Sequence, residues 1–227
     1  MIDTPPNAGV RVRPARSHGA ALLFLLHGYG SNEHDLFGLA HFFDERLHVV
    51  SLRAPRALAP LSYAWFDLEF TPSGIRFAEE HAAASVRQTA QRIVQLLQQF
   101  GIPNGRALLL GFSQGAIMSA ALVMRHPALF GGAVLLSGAP LPSSLLPTAT
   151  SLVPPHLPMF IGHGVYDAVL PVEGGRQLRQ QLAQLGCAVT YREYALAHEI
   201  SEEELVDVDD WLTSWLDQRS AAQSREP

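Results

Sequence analysis

Short runs of consecutive apolar residues alternate along this chain with longer stretches in which apolar positions recur every three or four residues. Residues 19–26 (Gly-Ala-Ala-Leu-Leu-Phe-Leu-Leu), 47–52, 107–110, 133–136, 158–161 and 188–194 are of the first kind. Their length and largely apolar character suit the strands of a mostly parallel sheet. Residues 10–12 add an antiparallel edge to this set. The second kind is clearest at residues 78–100, where Val86, Ala90, Ile93, Val94, Leu97 and Phe100 share one helical face opposite Gln and Arg. Gly101, backed by Pro103, stops that helix. Residues 114–125 are small or apolar almost all round, as a helix pressed against the centre of a sheet requires, and a further helix at 172–185 ends at Gly186. Ser201-Glu202-Glu203-Glu204 reads as a capping box opening the last helix, with acidic residues at the positive end of its dipole and Leu205, Val208, Leu212 and Trp215 on its buried face. Strand and helix alternate throughout, which predicts an α/β protein with a mostly parallel central sheet and helices on both faces.

Two stretches break the alternation. Residues 54–77 are rich in Pro and aromatics, and residues 139–155 carry five prolines, Pro140, Pro142, Pro147, Pro154 and Pro155; both read as long loops, the kind that often carry function. With 227 residues, 48% of them apolar and 16% charged, the chain has material for one well-covered domain at 19–218, preceded by a segment at 1–18 and followed by a frayed tail at 219–227. A net charge of -5 supplies no field for nucleic acid or anionic lipid. A single cysteine, Cys187, excludes an internal disulfide and fits a reducing compartment. Residues 1–14 lack the apolar core of a secretory signal and the apolar run at 20–26 is far too short to span a bilayer, so the expected location is the cytoplasm, without stable membrane insertion.

The candidate chemistry centres on Gly111-Phe112-Ser113-Gln114-Gly115, between the strand at 107–110 and the helix at 114–125. Gly-x-Ser-x-Gly alone is a weak pattern, but a strand-to-helix reversal this tight strains the serine backbone and lifts its hydroxyl beside a helix N-terminus. A serine merely capping the helix is the competing reading. A nucleophilic serine needs a general base, and the base needs a group that holds its tautomer. In this arrangement the partners follow the serine as acid and then histidine, each in a loop after a strand. Asp167 follows the strand at 158–161 and His198 follows the strand at 188–194, just before the capped helix. His163 is the rival base but precedes Asp167; His126 and His156 sit in poorer contexts, and Asp35 and Asp67 precede Ser113.

An oxyanion also needs two N–H donors, each worth about 3 kcal/mol of barrier. The amide of Gln114 is one. His27-Gly28-Tyr29-Gly30, in the loop after the first strand, is placed to aim the Tyr29 amide as the other, with His27 fixing the loop. Histidines at 27, 34, 41 and 48 recur every seven residues, but positions two helical turns apart lie about 10 Å from one another and cannot share an ion. No metal or organic cofactor is expected. Trp65 and Phe66 are candidates for an apolar wall contacting an acyl chain, with ordinary packing as the alternative.

The chain resembles the phospholipase/carboxylesterase family, which includes acyl-protein thioesterases and small bacterial carboxylesterases. The resemblance runs from Leu22 to Trp215 through Leu26-His27-Gly28-Tyr29-Gly30, Trp65-Phe66-Asp67, Gly111-Phe112-Ser113-Gln114-Gly115, Leu136-Ser137-Gly138, His163-Gly164 with Asp167 and Pro171, and His198. It implies a single-domain α/β-hydrolase fold without a large lid domain, a Ser113, Asp167, His198 triad, a shallow acyl groove, and a small-molecule ester or thioester substrate. The thioesterase branch usually has Leu where Tyr29 stands, Gly at Ala116, and Asp at Ser31-Asn32; a tyrosine there crowds the acyl channel and favours shorter acids. Hydrolysis of small or medium acyl esters is therefore the expected activity. A long-chain acyl-protein thioesterase or lysophospholipase is the alternative within the fold, and a non-catalytic binding protein the alternative outside it. The sequence is compatible with a homodimer.

Overall fold

The computed structural model describes residues 9–16, 21–71, 74–147 and 153–223. Among the described residues eleven strands and four α-helices follow one another: β1 (Val10–Arg13), β2 (Ala21–Leu26), β3 (Leu47–Leu52), β4 (Arg56–Ala59), β5 (Ser62–Ala64), β6 (Glu69–Thr71), β7 (Gly74–Arg76), α1 (Glu79–Phe100), β8 (Ala107–Phe112), α2 (Gln114–Arg125), β9 (Phe130–Leu136), β10 (Pro158–Gly164), α3 (Val172–Gln184), β11 (Ala188–Tyr194) and α4 (Glu202–Gln223). Seven strands make the central sheet in the order β1-β3-β2-β8-β9-β10-β11. All its pairings are parallel except β1 with β3.

Alternate residues of each strand feed two cores. Leu22, Phe24 and Leu26 pack under α1, α2 and α3, against residues such as Ile93, Met118 and Leu178. Leu23 and Leu25 point the other way, to Val208, Leu212 and Trp215 of α4. Since both faces of β2 are fully buried, its sequence shows an unbroken apolar run rather than alternation. The chain runs from β2 outward to β3, then returns to β8 on the opposite side of β2. Such a reversal of strand order opens a crevice beyond the carboxyl ends of the two strands, where ligands bind in sheets of this type. Leu26 pairs with Gly111 in the last rung of that ladder, so Gly28 and Ser113, each two residues on, emerge side by side.

Several expectations require correction. Residues 54–77 are not a plain loop: β4 pairs with β5 and β6 with β7 in two short antiparallel hairpins. Strands of three or four residues are too short for periodicity to reveal. In the stretch at 139–155, Leu141 and Leu145 are buried, and Arg125 donates to the carbonyls of Ser144 and Leu146; residues 148–152 lie outside the described residues. So do residues 19–20 at the start of the first expected strand and most of the expected N-terminal segment. The tail does not fray at residue 219: α4 continues to Gln223, with the Arg219 guanidinium stacked 4.7 Å over Trp215. Among the described residues no helix is long and apolar enough to cross a membrane.

The capping box forms only in part. Glu204 N–H donates to Ser201 Oγ at 3.1 Å, but the Glu204 side chain turns inward instead of reaching back to the cap. It is 1% exposed and lies against Gly162 of β10, where any side chain would strike its Oε1. Its Oε2 has no hydrogen-bond partner among the described residues. Burial, aided by the nearby Asp207, pushes this carboxyl up to about 8 from its usual 4.5. An acid raised in this way costs nothing below pH 4.5, where folded and unfolded chains are both protonated. Above that pH the unfolded chain ionises first and folding loses stability, until the folded group ionises as well. Glu204→Gln is therefore expected to leave stability unchanged at pH 4 and raise it by roughly 3 kcal/mol at pH 7. Guanidinium unfolding at the two pH values checks this, and an equal gain at both would contradict it.

Candidate active site

Ser113 joins β8 to α2 with φ 56° and ψ -117°, a left-handed conformation that costs a non-glycine residue on the order of 1–3 kcal/mol. The surrounding backbone enforces it. A side chain on Gly115 would strike the Leu26 carbonyl, and one on Gly111 would strike the carbonyl of Gly115. The two motif glycines thus let strand, elbow and helix close on one another. Ser113 N–H donates to Leu136 O of β9 at 2.9 Å, tying the elbow to its neighbour.

The acid and the histidine come from the far end of the sheet. β10 and β11 pair through Gly164 and Tyr194, and beyond that rung Val165 N–H donates to Tyr194 O and Tyr166 N–H to Leu196 O. Asp167 and His198 lie just past these bonds, in adjoining loops. His198 must still travel back toward β8, three strand spacings or about 14 Å away. Gly164 lets its loop cross: a side chain there would strike the carbonyls of Leu196 and Ala197. The imidazole then rests 4.9 Å, centroid to centroid, from the Phe112 ring. His198 Nδ1–H donates to Asp167 Oδ2 at 2.6 Å, and Nε2 lies 2.9 Å from Ser113 Oγ.

Asp167 is 6% exposed and its second oxygen, Oδ1, accepts from the amides of Val169 and Leu170. This carboxylate is held from two sides before it meets the histidine. His163, the rival base, is fully buried; its Nε2–H donates to Leu170 O at 2.7 Å and sits 3.5 Å from Asp167 Oδ2. It fastens the acid loop and does not reach the serine. Asp35 accepts a hydrogen bond from Ser31 Oγ, and Asp67 pairs with Arg56; neither joins the Ser113 cluster. Among the described residues no group of three or more His, Cys, Asp or Glu could hold a metal ion.

The loop expected to carry an oxyanion donor lies against the serine. A Cβ on Gly28 would sit 3.6 Å from Ser113 Cβ. His27 is fully buried, donates Nδ1–H to Gly28 O at 2.8 Å and accepts Ala54 N–H on Nε2 at 3.1 Å. Burial lowers its pKa, and accepting Ala54 N–H on Nε2 requires the neutral ring. Gln114 opens α2, so its amide has no carbonyl one turn earlier in the helix to bond. Glu33 and Arg53 brace the loop from behind through a bidentate pair in which the carboxylate is buried. Burial is the largest single influence on Glu33 and raises its pKa, but hydrogen bonds from Arg53 and the backbone, together with the Arg53 charge, outweigh it and leave the carboxyl below its ordinary value.

Trp65 and Phe66, the candidates for an acyl wall, are set deep in the protein. They are 2% and 1% exposed, enclosed in the core under α1 and α2. Backbone and side-chain hydrogen bonds explain their depth. Trp65 N–H donates to Gln114 Oε1 at 2.9 Å, Trp65 Nε1–H to His27 O at 2.9 Å, and Gln114 Nε2–H to Phe66 O at 2.7 Å. Both polar atoms of the Gln114 carboxamide are thus engaged, a role that the five-residue motif does not announce; its one signal is a long amide side chain at the first position of an otherwise apolar helix.

The sequence profile of the phospholipase/carboxylesterase family matches residues 7–216, nearly the whole chain. The chain belongs to this family. Among curated proteins it resembles acyl-protein thioesterase 1 of Candida albicans, with 27% identity over 88% of this chain and 94% of that protein. Among solved structures it resembles esterase PE8, with 26% identity and a TM-score of 0.77 over 90% of this chain and 97% of the other. A carboxylesterase of Bacillus cereus, 22% identical, has the same fold, with a TM-score of 0.75 over 91% of this chain and 93% of that one. As a member of the phospholipase/carboxylesterase family the chain is a serine hydrolase of the α/β-hydrolase fold, acting on esters or thioesters.

Proposed function

We propose that the chain is a carboxylesterase acting on small or medium acyl esters through an acyl-enzyme on Ser113. The observation that carries this reading is the unbroken relay from Ser113 Oγ through His198 to Asp167, with links of 2.9 and 2.6 Å. In the proposed mechanism Ser113 attacks the acyl carbonyl while His198 Nε2 takes its proton and Asp167 steadies the imidazolium. The Tyr29 and Gln114 amides receive the developing oxyanion. His198 then protonates the leaving alcohol, and water, activated by the same histidine, releases the acid and regenerates the serine. No step calls for a metal or organic cofactor.

The reading of a short acyl group is supported by Tyr29, a bulky residue where the thioesterase branch usually has Leu, and by Trp65 and Phe66, whose 2% and 1% exposure leaves little surface for an acyl chain. The test is a series of p-nitrophenyl esters from acetate to palmitate with palmitoyl-CoA alongside. The expected result is a kcat/KM for butyrate at least about tenfold above that for palmitate, since each buried methylene is worth about 1 kcal/mol only where a pocket exists to receive it. A preference for palmitoyl substrates would overturn the chain-length reading and favour the long-chain activity of the thioesterases it resembles.

A further inference from the structure

The two amides assigned to the oxyanion come from different segments, Tyr29 after β2 and Gln114 at the head of α2. A tetrahedral oxyanion is discriminated from a planar carbonyl only if both donors are held to a fraction of an ångström. The β2–β8 ladder ends at Leu26 and Gly111, so sheet hydrogen bonds do not set the spacing of residues beyond it. We infer that the Trp65 indole and the Gln114 carboxamide are positioning residues that lock the two halves of the oxyanion hole together. This rests on the mechanism proposed above.

The connection can be followed bond by bond. Gln114 Oε1 and Nε2 grip the backbone of Trp65 and Phe66. The Trp65 indole N–H holds His27 O. The His27 ring, 5.4 Å from the indole, donates to Gly28 O. Gly28 C=O and Tyr29 N–H belong to one rigid peptide plane and point in opposite directions. A bond that fixes the Gly28 carbonyl therefore also fixes the direction of the Tyr29 amide. Every side chain in the relay is buried, Gln114 at 1% and Trp65 at 2% exposure, shielded from bulk solvent that would compete for these bonds. Burying so many polar groups in the core contributes little net stability, but it removes the freedom of one donor relative to the other. Trp65 acts on turnover through His27, and not by touching the acyl chain.

Trp65→Phe keeps an aromatic ring and deletes the indole donor; Gln114→Met keeps the length of the side chain and deletes both carboxamide bonds. Each is measured below its own unfolding midpoint with p-nitrophenyl butyrate and with an alkyl trifluoromethyl ketone, which forms a tetrahedral hemiketal with a serine. The expected result is a kcat lower by about 10- to 100-fold, a KM changed by less than about threefold, and a ketone affinity reduced by the same factor as kcat/KM. A purely structural role would lower the unfolding midpoint while leaving kcat and ketone affinity near wild type, and would overturn the inference. A raised KM at unchanged kcat would overturn it too, by making Trp65 an acyl contact. If one variant fails to fold, the other decides. Failure of the underlying mechanism would look different: a fluorophosphonate would then fail to label Ser113 in the wild-type protein.

Discussion

Ser113→Ala is expected to lower kcat by about 10⁵- to 10⁶-fold and to abolish fluorophosphonate labelling, while leaving the protein folded. The size follows from what the substitution removes. Without Oγ there is no acyl-enzyme, and hydrolysis falls back on a water that the oxyanion donors alone can assist. The fold is spared because the elbow is held by its neighbours. Ser113 N–H bonds to Leu136 O, and its carbonyl accepts from Ala116 and Ile117 N–H at the start of α2; none of these involves the hydroxyl. Alanine bears the same left-handed φ at a similar cost. An unfolding midpoint within a few degrees of wild type, beside a near-total loss of turnover, is the pattern to look for. Activity within about tenfold of wild type would remove Ser113 from the mechanism.

Asp167→Asn is expected to cost about 10⁴-fold in kcat at neutral pH, although it changes a single polar atom. Asp167 Oδ1 already accepts two amide hydrogens, from Val169 and Leu170. An asparagine keeps that arrangement with its carbonyl oxygen, which leaves its NH₂ group facing His198 Nδ1. The imidazole must then accept on Nδ1 and carry its proton on Nε2, the wrong tautomer for taking the serine proton. The NH₂ would also face His163 Nε2–H, 3.5 Å from the same carboxyl oxygen. Steady-state kinetics beside circular-dichroism unfolding separates this from simple destabilisation; a variant keeping more than about a tenth of wild-type kcat would show that the acid is dispensable.

Much of this arrangement is legible in the order of residues. The central strands are largely apolar on both faces, so β2, β8, β9 and β10 stand out as short apolar runs, and the order of serine, acid and histidine follows from the loops behind β8, β10 and β11. The register of those strands then brings Ser113, Asp167 and His198 to one end of the sheet. Three features are hidden, each for a physical reason. The hairpins formed by β4 with β5 and by β6 with β7 are too short to impose a period. Trp65 and Phe66 follow a Pro-rich segment that looks like surface, and only the Gln114 carboxamide reveals why their backbone descends into the core. Glu204 has the sequence position of a solvated acid in the first turn of α4, but Gly162 opposite it has no side chain and leaves space that the carboxyl fills. That contact joins residues far apart in sequence, and no local pattern carries it.

The loop that passes over Gly164 also has a temporal meaning. On the proposed mechanism Ser113 and the Tyr29 and Gln114 amides are in place once β2, the Trp65-Phe66 segment, β8 and α2 have come together, but the base is delivered only by the last strand of the sheet. During synthesis the earlier strands are made and can begin to pack first, leaving a shaped but unarmed serine until β11 pairs with β10. The same dependence persists afterward. Loosening of this outermost strand disconnects His198 while the rest of the core stands, so hydrolysis would register the undocking of β11 well before global unfolding.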